Sequence, residues 1–186
     1  MIGFERDGTY LVAHLDEVEV SLLSSLVGQV NDLLGAGVGA PEVDDAFAWW
    51  ESSFHTAAPL DANDPVVARL FPDAYADDAV AAAEHRRFTQ DEQRQARVRD
   101  AAIVLADLER AAGGRARLEI DREHAEAWLK TLNGVRLALA VRLGIEAEAD
   151  HEALERLSVR DPRSQVVALY DWLAIILEGL LDAMSR

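Results

Sequence analysis

The strongest constraint on the fold is a run of apolar residues at helical spacing between two punctuation marks. Asp121 offers a side-chain acceptor for a helix start, and Gly144 stands where a helix end favours a residue with positive φ. Between them Trp128, Leu132, Val135, Leu139 and Leu143 recur every three or four residues, so one face of a helix reaching Leu143 must be buried. At about 100° per residue, Arg136 falls inside that apolar sector, between Leu129 and Leu143. A guanidinium there must be paired or must reach water along its stem. The last helix, opening at Asp161-Pro162, carries Asp171, Glu178 and Asp182 within about 40° of one another on an otherwise apolar surface. A structural ion pair between Arg136 and Asp171 is therefore expected to fix the packing of these two helices. The apolar girth of the last helix marks it as the central helix, with a homodimer interface as the alternative.

The rest of the chain fits around this pair. Ile2 to Leu15 reads as a β-hairpin with Asp7-Gly8 as its two-residue turn, and the second strand could be covered on both faces. Asp16 and Glu19 form a capping box for a helix to about Leu34, with Leu23, Leu26, Val27, Val30 and Leu34 buried. Gly35, Gly37 and Gly39 open a loop. Pro41 could start a short helix containing Phe47, Trp49 and Trp50. Asp64-Pro65 begins a short helix ending at Phe71-Pro72, and Asp77 to Arg87 reads as another. Thr89-Gln90-Asp91-Glu92 predicts a fresh start for a long helix to Ala112, stopped by Gly113-Gly114. Arg117 to Ile120 is a strand candidate able to join the hairpin, and a short helix is expected from His151 to Leu157. The expectation is a mainly α, bundle-like single domain over residues 1–186, with a small N-terminal hairpin or three-stranded sheet (1–15) beside a helical core (16–186).

Composition limits the chemistry. The 186 residues contain no cysteine, which excludes a disulfide framework, a thiolate metal site and a cysteine nucleophile. The five histidines form no His-x-x-x-His pair, so no metal site is expected. No phosphate loop, dinucleotide fingerprint or nucleophile elbow is present, so neither a cofactor nor an enzyme is expected. The formal charge of −16 opposes direct nucleic-acid binding and anionic membranes. Residues 86–122 alone are locally basic, with nine arginines against seven acids; a solvated helix face with intrahelical pairs, such as Asp91 with Arg94, is the simpler reading. The first ten residues lack a signal peptide's apolar run, and the acids of the last helix make it a poor membrane span; a cytoplasmic location is expected. Around Pro72, the Arg69–Tyr75 and Glu84–Arg87 stretches mix Arg69, Asp73, Tyr75, Arg86 and Arg87. They suit either an ion-pair corner or a partner-docking surface.

Three stretches carry a family resemblance. They are Asp64-Pro65 through Arg69-Leu70-Phe71-Pro72-Asp73-Ala74-Tyr75 and on to Thr89, Trp128-Leu129 through Leu132-Asn133-Gly134-Val135-Arg136 to Gly144-Ile145, and Leu169-Tyr170-Asp171-Trp172-Leu173. Together they resemble an actinobacterial family of unknown function encoded beside the ClpS protease adaptor, the AosR-like oxidative-stress regulators. The resemblance implies a non-enzymatic transcriptional regulator acting through protein contacts, with a sigma factor or the Clp machinery as partner. It also implies a cysteine pair in redox-sensing members. With no cysteine, this chain cannot take its input through its own disulfide.

Overall fold

A computed structural model describes residues 3–35, 64–72, 74, 78–114 and 116–185. Strands β1 (Glu5–Asp7), β2 (Tyr10–His14) and β3 (Arg117–Ile120) form an antiparallel sheet in that order. Helices α1 (Glu17–Leu33), α2 (Pro65–Leu70), α3 (Ala79–Gly113), α4 (Arg122–Leu143), α5 (Glu148–Glu155) and α6 (Pro162–Ser185) make up the rest. The fold is mainly α, as expected, with the small sheet laid on one side.

The hairpin turn lies one residue later than the sequence suggests. Asp7 pairs with Tyr10, so Gly8 and Thr9 form the turn. Gly8 alone has positive φ (64°), which suits the first central position of a turn whose second position is β-branched. β2 is buried on one face only, through Leu11 and Ala13, which pair with Ile120 and Leu118 of β3 to cover the helices. Tyr10 and His14 point to solvent.

The helix-start and helix-end signals at Asp16, Asp64, Asp121 and Gly144 act as their sequences predict. Asp16 and Glu19 exchange hydrogen bonds of 2.7 and 2.9 Å in a full capping box. Asp64 accepts from the Val66 amide at 2.7 Å, with Pro65 in the first turn. Asp121 accepts from the His124 amide at 2.9 Å, and Gly144 closes α4 with φ 72°. The break expected at Thr89 is absent: α3 runs unbroken from Ala79. Thr89 is helical, and its hydroxyl donates back to the His85 carbonyl at 2.9 Å, satisfying itself within the helix instead of capping a new one. The short helix expected at His151–Leu157 starts earlier, because the Asp150 carboxylate accepts the Glu146 and Ala147 amides at 3.0 and 2.9 Å.

The central helix is α4, not α6. α4 packs against α1, α2, α3, α6, β2 and β3. Its large apolar residues mark one stripe, but Ala125, Ala127, Gly134 and Ala138 are buried too and admit neighbours on other sides. α6 is buried on one side, through Val166, Leu169, Leu173, Ile176, Leu180 and Ala183; Ile175 and Leu181 remain exposed. No described helix is long and apolar enough to cross a membrane. Gly37, Gly39, Phe47, Trp49 and Trp50 lie outside the described residues.

Gly144→Ala is expected to destabilise the protein by about 1 kcal/mol, the usual penalty of a Cβ in the left-handed region. Urea unfolding checks this; an unchanged midpoint would contradict the closure assigned to α4.

Candidate functional site

Asp107 is the most buried carboxylate among the described residues, 1% exposed in the C-terminal part of α3. Three donors converge on it. Trp128 Nε1 donates to Oδ2 at 2.9 Å, Arg110 Nη2 donates to Oδ1 at 2.6 Å, and His124 Nδ1 lies 2.9 Å from both oxygens. Trp128 is fully buried and also meets Phe4 edge to face, with centroids 6.4 Å apart. His124 and Arg110 reach the carboxylate from the partly wet side. A buried charge is tolerable when its lone pairs are filled in this way. The arrangement fixes α4 against α3.

A second set of contacts gathers the ends of α1 and α2 onto α3. Arg97 Nη2 donates to the Leu70 carbonyl at 2.8 Å, and its guanidinium lies 5.4 Å from the Phe71 ring centroid. Burial pushes the Arg97 guanidinium below the usual arginine value, and Asp100 opposes this. Arg94 Nη1, one turn away, donates to the Leu34 carbonyl at 3.3 Å. Both arginines therefore cap helix C-termini, where cations are favoured. Arg142 Nη2 reaches the buried Asp64 carboxylate at 2.8 Å and ties α4 to the start of α2. A narrow, mainly apolar cleft lies among these helices, lined in part by Val30, Leu34, Leu70 and Gly134. Asn31 Oδ1 and Thr131 Oγ1 face its buried walls without a hydrogen bond among the described residues.

The third cluster joins α4, α5 and α6. Arg136 lies 4.0 Å from the centroid of the Tyr170 ring in a cation–π contact. Its expected pair with Asp171 is not among the ion pairs of the described residues. Asp171 instead meets His151 Nε2 at 2.7 Å. The cause is geometric: Tyr170 and Asp171 are neighbours on α6 and point about 100° apart, so Arg136 on α4 meets the Tyr170 ring while the Asp171 carboxylate turns to α5. The His151 ring packs against Tyr170 at 5.5 Å. Glu155, one turn along α5, completes a group in which one ligand atom from each of His151, Glu155 and Asp171 lies within 4.8 Å of the other two.

Of the residues expected to dock a partner, Arg69 is exposed in the last turn of α2. Asp73 and Tyr75, and the side chains of Arg86 and Arg87, lie outside the described residues. Neither the Asp107 cluster nor the His151 group is evident in the sequence. Asp107 and Arg110 at i, i+3 look like a surface pair, and His151-x-x-x-Glu155 was the only linear trace of the second.

A family model described as a domain of unknown function, DUF2017, matches residues 1–184. The chain belongs to this family. A Mycobacterium tuberculosis (strain ATCC 25618 / H37Rv) protein named oxidative stress regulator AosR is 28% identical over 186 residues, spanning 95% of this chain and 83% of that protein. A Mycobacterium leprae protein also named for AosR is 31% identical over 179 residues, spanning 89% of this chain and 78% of its own. No solved structure matches the chain.

Two outcomes are expected from these contacts. Asp107→Ala should destabilise by about 3–5 kcal/mol, because Trp128 loses its buried acceptor while His124 and Arg110 lose their counter-charge. In a double-mutant cycle of Arg136→Met with Tyr170→Leu, a coupling of about 0.5–2 kcal/mol is expected. Strictly additive losses would remove the stacking role assigned to Arg136.

Proposed function

We propose that the chain is a non-enzymatic, cytoplasmic regulator of the oxidative-stress response that works through contact with another protein. Transcription machinery carrying a sigma factor is the first partner, and the Clp machinery the second. The observation carrying this reading is where the buried polar groups point. Asp107, Asp64, Arg94 and Arg97 engage one another's helices and helix ends, and do not converge on a substrate-sized polar cleft. The names given to the mycobacterial relatives support a regulatory role. The docking surface of this proposal runs through Arg69, Asp73, Tyr75, Arg86 and Arg87, of which Arg69 is exposed. A formal charge of −16 disfavours DNA as the direct target.

Crosslinking in the native cell, followed by mass spectrometry, is expected to recover a sigma factor or a Clp component. Arg69→Glu should reduce that recovery at an unchanged melting temperature. Recovery of neither class overturns the proposal. In a salt titration, the isolated chain is expected to leave duplex DNA unbound even near about 50 mM salt, where a phosphate-driven complex would be strong.

A further inference from the structure

We propose that His151, Glu155 and Asp171 form a binding site for a divalent transition-metal cation of the zinc class. The inference does not depend on the regulatory reading above. His151 and Glu155 stand four residues apart on α5 and so share a face. Asp171 projects toward them from α6, and the three ligand atoms lie within 4.8 Å of one another. The imidazole is held in place: Nε2 is 2.7 Å from Asp171 Oδ1, and the ring rests against Tyr170. Tyr170 is itself covered by Arg136.

The donor set indicates the cation. Carboxylates alone collect hard cations without selection. An imidazole nitrogen between two carboxylates favours the borderline metals, with zinc above manganese. The surroundings are rich in negative charge, since Glu146, Glu148, Asp150 and Glu152 lie in the same stretch of chain; Arg156, at 3.4 Å from Glu152, and Arg136, behind the Tyr170 ring, offset part of it. The required movement is small. Ligand bonds of about 2.0–2.2 Å hold two ligand atoms of one ion about 3.0–3.4 Å apart. His151 and Asp171 must therefore separate by less than about 1 Å from their hydrogen-bonded spacing, while Glu155 closes in by side-chain rotation. The metal takes the Nε2 lone pair. The proton on that nitrogen in the hydrogen-bonded pair then passes to Nδ1 or to solvent. All three side chains are partly or fully exposed, so water completes the coordination.

The test is isothermal titration of Zn2+ into the full chain after chelator treatment, with Mg2+ in parallel. Saturable one-to-one uptake of Zn2+, and none of Mg2+ at equal concentration, is expected. Glu155→Gln alters an exposed residue and should keep the circular dichroism spectrum while weakening Zn2+ binding by at least about tenfold; His151→Ala should abolish it. Absence of saturable Zn2+ uptake overturns the site. Equal uptake of Mg2+ does so too, by showing only an acidic surface. Zn2+ binding unchanged in both variants places the metal elsewhere and also overturns it.

Discussion

The carboxylate of Asp107 is the point on which the packing of the helices depends. A fully desolvated charge is among the least forgiving groups in a protein interior, and its removal from water must be offset by donors that cannot drift. Trp128 supplies the only one of the three donors that is itself fully buried. Its indole therefore sets both the depth and the rotation of α4 relative to α3. Once that register is set, Arg97 and Arg94, three and four turns back along α3, reach the open carbonyls at the ends of α2 and α1. The strand after α3 is placed by the same register: Leu118 and Ile120 are pressed onto the core, and β2 completes its ladder against them.

The same contacts account for the one basic stretch in an acidic chain. Read as a string, residues 86–122 resemble a strip for an acidic partner. In three dimensions Arg94 and Arg97 serve helix ends, Arg110 serves Asp107, and Arg117 and Arg122 pair with Glu119 and Glu126 at 3.1 and 3.5 Å. Arg94 also lies 3.8 Å from Asp91, the intrahelical pair expected for a solvated face. Arg94 and Arg97 thus turn toward the C-terminal dipoles of neighbouring helices, while Arg99 stays exposed. The exposed pairs contribute little, roughly 0–1 kcal/mol each, and the partly buried ones set geometry.

Signals confined to a few residues were legible in the sequence. Asp16 with Glu19, Asp64-Pro65, Asp121 and Gly144 each act on backbone groups within one turn, so no neighbour is needed to interpret them. Thr89 shows the limit of that logic. A capping box and a continuing helix share the same residues, and the choice depends on whether the preceding turn stays helical. Arg136 shows a different limit. Its angular position on α4 correctly predicted a partly buried guanidinium beside α6, but a helical wheel does not say which of two adjacent residues on the partner it will meet. Asp107 and His151 were illegible for a third reason. The partners that define them, beyond Arg110 and Glu155 on their own helices, lie 17 to 21 residues away on other elements, at no characteristic spacing.

These two polar clusters differ in how firmly they are held. The Asp107 cluster sits between two long helices with buried residues along their shared face, so its geometry is imposed from all sides. α5 has a single buried residue, Leu154, and leans on α6 through the His151–Asp171 bond and the edge of Tyr170. Its position therefore depends on polar contacts more than on apolar area, which makes it the helix least expensive to displace. Displacement would be felt along a short path. Tyr170 touches both His151 and Arg136, and Arg136 stands eight residues, or about 12 Å, along α4 from Trp128. The lightly buried edge and the fixed centre of the fold are thus linked through one helix. The polar contact between α5 and α6 thus stands one side chain, Tyr170, away from the helix on which α1, α2, α3 and α6 all pack.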